Sequence, residues 1–140
     1  MFLVAFLKWS LVLVLLGATH VRGDDKMPSD LIVPNNLHLI HLNGGDLTFY
    51  VYLNFLAAIG NINPERVMLH YITEPTGTFY RKLVKHHAVI PMKHSEPISI
   101  LGHAPGPKDW AHKSDIIRLE VLKRYGGIYI DTDVLVLRSF

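Results

Sequence analysis

An α/β domain with a mostly parallel sheet is what the sequence predicts, and three observations predict it. Strand-like and helix-like segments alternate along the chain from Leu37 onward. Glycine, proline and asparagine clusters turn or break the chain between them. The total of 140 residues, part of it an apolar leader, leaves room for one core at most.

Taken in order, residues 2–18 are almost unbroken apolar sequence with Lys8 inside, followed by the small Gly23. The order of features is that of a secretory signal, so 1–23 is expected to be a signal peptide or an uncleaved signal-anchor. As a membrane span it is short against the ~20 apolar residues a bilayer requires. Residues 24–36, rich in charge, proline and asparagine, read as a stalk, and 37–140 as the folded part. That placement expects a secretory-pathway protein, either a Golgi type II protein or a secreted one.

The LHLIHL run from Leu37 is a first strand, closed by a turn at Asn43-Gly44-Gly45. A helix with Asp46 or Thr48 as N-cap follows and runs to a stop at Gly60; its faces are nearly all apolar, so it is expected to be buried. Asn63-Pro64 breaks the chain before a β-rich strand at 67–72, and a turn at Pro75 to Gly77 leads into a helix over FYRKLVKHH. A short strand at 88–92 comes next. Residues 93–110 are irregular, with prolines and glycines, as a loop bordering a cleft would be.

Residues 111–125 form the most informative helix. At about 100° per residue, Lys113, Glu120, Lys123 and Arg124 gather on a solvent face. Ala111, Leu119, Val121, Leu122 and Tyr125 gather opposite, and Asp115 and Arg118 fall among them. Three residues apart, these two are neighbours. Charged groups on an apolar face are paired or engaged with a ligand, since desolvating each costs several kcal/mol, on the order estimated for buried ions. An internal ion pair that only fixes packing is one reading; a ligand contact is the other.

Gly126-Gly127 ends that helix, and IYIDTDVLVL at 128–137 is too β-branched to continue it. Alternation in a strand would put Tyr129, Asp131 and Asp133 on one face. Two carboxylates within an apolar strand repel and lose hydration unless a cation neutralises them. With no cysteine in the chain, oxygen ligation by Asp131 and Asp133 suits Mg2+, Mn2+ or Ca2+ rather than zinc, leaving positions for water or phosphate oxygens. A solvated pair of acids at a loop end is the bland alternative.

The nine histidines show no HExxH spacing and read as surface or core residues. Basic residues exceed acidic ones by only 14 to 12 and are interspersed with them, which is no nucleic-acid footprint.

The stretch AHKSDIIRLEVLKRYGGIYIDTDVLVLRSF, 111–140, resembles the sugar-binding region of DXD glycosyltransferases, which include animal α-1,4-galactosyl- and N-acetylglucosaminyltransferases and fungal initiating mannosyltransferases, with the glucosylating clostridial toxins more distant. The SD, R, GG, Y and DxD elements recur in order and spacing. Upstream, VPNNLHLIH is similar to the family's opening strand, with His41 where tryptophan usually stands, and NPERVMLHY resembles its second strand.

The resemblance implies a GT-A, Rossmann-like fold, incomplete after the DXD strand, and a metal-dependent glycosyltransferase that moves a sugar from a nucleotide-diphospho-sugar to a glycan, glycolipid or glycoprotein with retention at the anomeric carbon. It implies Asp131 and Asp133 at the metal, Asp133 more directly, and Ser114, Asp115, Arg118, Tyr129 and Asp131 at the donor. No catalytic residue is assigned, because the acceptor side is expected after Phe140 and the chain reads as an N-terminal fragment of low activity alone. Two rivals stand beside this reading. One is a secreted sugar-nucleotide or metal-binding remnant without catalysis. The other is a haloacid-dehalogenase-like phosphatase, whose first motif IYIDTDVLV also fits.

Overall fold

The computed structural model describes residues 32–99, 106 and 108–139, together with the backbone of 13–15. The described elements are β1 (Leu13–Leu15), β2 (Asn36–Ile40), β3 (Asn43–Asp46), α1 (Phe49–Ile62), β4 (Arg66–Tyr71), β5 (Thr73–Thr76), α2 (Gly77–His86), β6 (Ile90–Lys93), α3 (Trp110–Tyr125) and β7 (Gly127–Ile130). The α/β class expected from the sequence is therefore the one present. The signal or anchor expected at 1–23 lies outside the described residues apart from Leu13–Leu15, and most of the stalk does too. Among the described residues no helix is long and apolar enough to cross a membrane.

Five strands form the main sheet in the order β1-β7-β2-β4-β6. β7, β2, β4 and β6 run parallel, while β1 runs antiparallel along β7. The chain steps outward from β2 to β4 and β6, then returns to the other side of β2 with β7. That reversal leaves a crevice at the carboxyl ends of β2 and β7, the place where open parallel sheets bind ligands.

Strand alternation divides the sheet residues between two helical layers. Leu37, Leu39, Val67, Leu69 and Ile130 face α1 and α2, where they meet Phe55, Ala58, Tyr80 and Leu83. Ile40, Leu42 and Tyr129 lie in the other core, with Ile117, Val121 and Leu122 of α3. Both faces of the sheet are covered, as a parallel sheet requires.

Three local outcomes differ from the expectations. Asn43–Asp46 is no simple turn: with Gly44 and Gly45 at positive φ, it pairs in parallel with β5 as a small second sheet. The bare backbone of Gly44 allows this close approach, since a Cβ there would lie 2.7 Å from the Thr73 side chain. Helix α1 starts at the expected cap, where the Thr48 side chain accepts from the Val51 amide, but it passes Gly60 and ends at Asn63 in the left-handed region. Asparagine tolerates that conformation, and Pro64 prevents continuation. Nor is α1 wholly buried: Phe55 and Ala58 are, whereas Phe49, Tyr50 and Leu53 are exposed.

The core of the α3 layer holds a chain of imidazoles that the sequence reading does not resolve from its other histidines. His38, His70 and His94 stand on or just beyond the adjacent strands β2, β4 and β6. His38 Nε2 lies 2.8 Å from the Gly126 carbonyl, His38 Nδ1 2.9 Å from His70 Nε2, and His70 Nδ1 2.8 Å from His94 Nε2. A carbonyl only accepts, so the His38 Nε2–H donates to it, and each ring in turn accepts at Nδ1 from the Nε2–H of the next. In this arrangement His38 and His70, each with one donor and one acceptor nitrogen, are neutral. Burial first, and the neighbouring imidazoles second, hold the His70 pKa down to about 3. Burial also lowers His38, against the pull of the Gly126 carbonyl.

Candidate donor and metal site

The two charges of α3 that the sequence places on an apolar face part company in the structure. Arg118 is 8% exposed, with its guanidinium carbon 4.7 Å from the centre of the Tyr129 ring. Its ion-pair partner Asp115 keeps more than half of its side chain in solvent. The pair is therefore half in and half out, and the arginine is the buried member because a flat ring covers its planar cation.

The assumed solvent face is corrected at Lys113 as well, which is buried. Its ammonium lies 4.4 Å from the Trp110 ring centre and pairs with Glu96, so its stem packs while its charge stays compensated. Leu119, expected inward, is exposed.

The expected long strand at 128–137 is also shorter. Regular structure ends at Ile130, and Asp131 opens a tight turn: the Val134 amide donates to the Asp131 carbonyl at 3.3 Å, and the Thr132 amide to Asp131 Oδ1 at 2.9 Å. Aspartate is favoured at a turn's first position because its carboxylate takes a nearby amide in this way. The alternation argument for a shared strand face thus does not apply to Asp131 and Asp133, which belong to a turn. The apolar pattern nevertheless resumes beyond it, Val134 and Val136 entering the α1-side core.

That turn stands at the reversal point of the sheet, over a cleft of about 170 Å³ lined by Ile40, His41, Leu42, Asn43, Trp110, Ser114, Asp131 and Thr132. Of the residues expected at a site, Ser114 and Asp131 line the cleft. Tyr129 lies fully buried beside them with Arg118 on its ring, Asp115 is held by Arg118, and Asp133 is exposed on the turn outside the lining. His41, Asn43, Trp110 and Thr132 were not expected there. Only their places at the ends of predicted elements, next to the irregular loop or the DxD acids, could have pointed to them.

The Tyr129 hydroxyl is buried without a well-formed hydrogen bond among the described residues. Burial raises its pKa, with the Asp131 charge adding to the rise while Arg118 and Ser114 oppose it. It stays a neutral phenol, able to donate. His41 has its pKa lowered by burial and donates from Nε2 to the Gly44 carbonyl at 3.2 Å.

A hard divalent cation fits this donor set. Carboxylates and hydroxyls are available, thiolates are not, and the buried Tyr129 phenol lies next to Asp131. No group of three metal-binding side chains occurs among the described residues. Asp131 and Asp133 alone would make the partial shell typical of magnesium or manganese sites, which are completed by water and substrate phosphate.

Comparison with known proteins agrees with this geometry in the second half of the chain. Residues 81–140, which contain α3, β7 and the Asp131 turn, match the family described as glycosyltransferase sugar-binding region containing DXD motif. Glucan organizing enzyme 1 of Cryptococcus neoformans var. grubii serotype A is 33% identical over 118 residues, covering 79% of this chain and 31% of that protein. The chain thus spans about a third of the length of that curated relative. A solved structure of PaToxG Glycosyltransferase aligns over 77% of this chain and 45% of that one, at 20% identity and a TM-score of 0.48. Residues 81–140 are thus similar to the DXD-containing glycosyltransferase sugar-binding regions.

Proposed function

We propose that this chain supplies the donor and metal side of a glycosyltransferase that moves a sugar from a nucleotide-diphospho-sugar to a glycan, glycolipid or glycoprotein acceptor. The observation that carries this reading is the Asp131 turn at the carboxyl end of β7, beside a cleft, within the matched segment. A GT-A arrangement, retention at the anomeric carbon, and residence in the secretory pathway as a Golgi membrane or secreted protein belong to the same proposal.

In this reading Asp131 and Asp133 hold Mn2+ or Mg2+, which when bound supplies Lewis acidity toward the departing diphosphate. The chain's own residues do the rest. Arg118, buried against Tyr129 and paired with Asp115, presents a fixed positive charge on the ring that lies beside Asp131. Being always protonated, it orients an anionic or hydroxyl-rich donor without moving a proton. Ser114 offers a hydroxyl from the cleft wall, and the buried Tyr129 phenol lies beside Asp131. The exposed Trp110 ring lines the same cleft.

Calorimetric titration of the chain with uridine and guanosine diphosphate, with and without Mn2+, tests the proposal. Metal-dependent binding of either nucleotide is expected. Binding that is absent, or indifferent to the metal, overturns it.

A further inference from the structure

Helix α1 is apolar along most of its length, yet it carries Asn54 and Asn61, seven residues apart and hence on one stripe. Asparagine is a poor helix-interior residue, and a part-buried amide without a partner is destabilising. Both amides have partners in the same place. Asn54 Nδ2 donates to the Thr132 carbonyl at 2.8 Å, and Asn61 Nδ2 to the Val136 carbonyl at 2.9 Å, the latter also reaching Ala57 of its own helix.

The spacing fits. Seven helical residues rise roughly 10 Å, and four residues of extended chain cover roughly 13 Å. These carbonyls lie beyond Ile130, where the regular strand has ended and Leu135 alone forms an isolated bridge. Buried backbone carbonyls need a donor. Asn54 supplies one to the residue between the two acids, whose amide is already held by Asp131 Oδ1.

We infer that Asn54 is a positioning residue for the metal: its amide clamps the Thr132 carbonyl and thereby fixes the spacing of Asp131 and Asp133. Asn61 fastens the chain further on and serves as the matched control, because its bond ends four residues past Thr132. The inference rests on the proposal that these acids bind a divalent cation.

The test is Mn2+ affinity, read from the free-ion paramagnetic resonance signal in the presence of nucleoside diphosphate, alongside urea unfolding without metal. Asn54→Ala is expected to weaken Mn2+ binding roughly three- to tenfold, the net size of one hydrogen bond. Asn61→Ala should leave the affinity within twofold while lowering the urea midpoint by a similar amount, and Asn54→Gln, which keeps a donor, should recover part of the loss. Hydrogen exchange of the Val134 amide should quicken in Asn54→Ala alone. Unchanged affinity in Asn54→Ala, with the unsubstituted chain binding Mn2+, overturns the positioning role and leaves the metal reading standing. Equal losses in the two alanine variants overturn it too. Failure of the unsubstituted chain to bind Mn2+ removes the metal reading itself and this role with it.

Discussion

Acid should weaken this fold through His70. The ring is completely buried between His38 and His94, and its pKa is about 3 in the folded chain against 6.5 for a free imidazole. Below pH 6.5 the unfolded chain therefore binds a proton that the folded chain refuses, so stability falls as pH falls and goes on falling until about pH 3. At pH 5 the unfolded imidazole is about 1.5 units past its midpoint, and at ~1.4 kcal/mol per unit the loss is about 2 kcal/mol from this one side chain. His38 and His94, also lowered by burial, act in the same direction. The measurement is urea unfolding at pH 7.5 and pH 5.0 for the unsubstituted chain and for His70→Gln, a window that stays above the range where most carboxylates titrate. The substitution carries its own cost at both pH values. The informative quantity is the difference in pH dependence, which should be about 2 kcal/mol smaller in His70→Gln. Equal losses in the two proteins would refute a buried neutral His70.

Other expectations concern the site and the core. Asp131→Asn keeps an oxygen for the Thr132 amide but removes a charge; the urea midpoint should hardly move while Mn2+-dependent nucleotide binding falls at least tenfold by calorimetry, on the scale of a lost charged ligand. Arg118→Leu should cost little stability, because Asp115 is left mostly in solvent rather than buried, yet it should weaken sugar-nucleotide binding measured with Mn2+ present. Phe55→Ala, which empties the α1-side core, should cost about 3–5 kcal/mol in urea unfolding. Gly127→Ala places a Cβ 2.4 Å from the Asn36 carbonyl at a φ of 106° and should lower the melting temperature measurably more than Gly60→Ala, whose added Cβ meets nothing within 4 Å.

The parallel sheet was legible in the sequence because each strand is a short β-branched or leucine-rich run between breakers, and the region 111–140 was legible as a block. What escaped has identifiable causes. The pairing of Asn43–Asp46 with Thr73–Thr76 runs through glycines and a proline, which carry no periodicity. The inward side of α3 was misjudged at Lys113 because Trp110, which opens the helix, was read as loop, and because Glu96 reaches it from a loop that no helical wheel contains. The break after Ile130 was hidden by β-branched residues on both sides; its cause lies in Asp131 bonding its neighbour and in amides offered by α1. The histidine chain joins residues 32 and 24 positions apart, a relation visible only once the strands are side by side.

Among the described residues the sheet ends on its far side at β6, four residues in which Pro91 carries no amide hydrogen and Lys93 carries a charge. A neighbouring polypeptide seeking to extend the ladder would find a rung missing and an ammonium group to desolvate. This flank should resist intermolecular stacking of strands at high concentration, and replacing Pro91 with valine should raise the rate at which the protein forms thioflavin-positive aggregates.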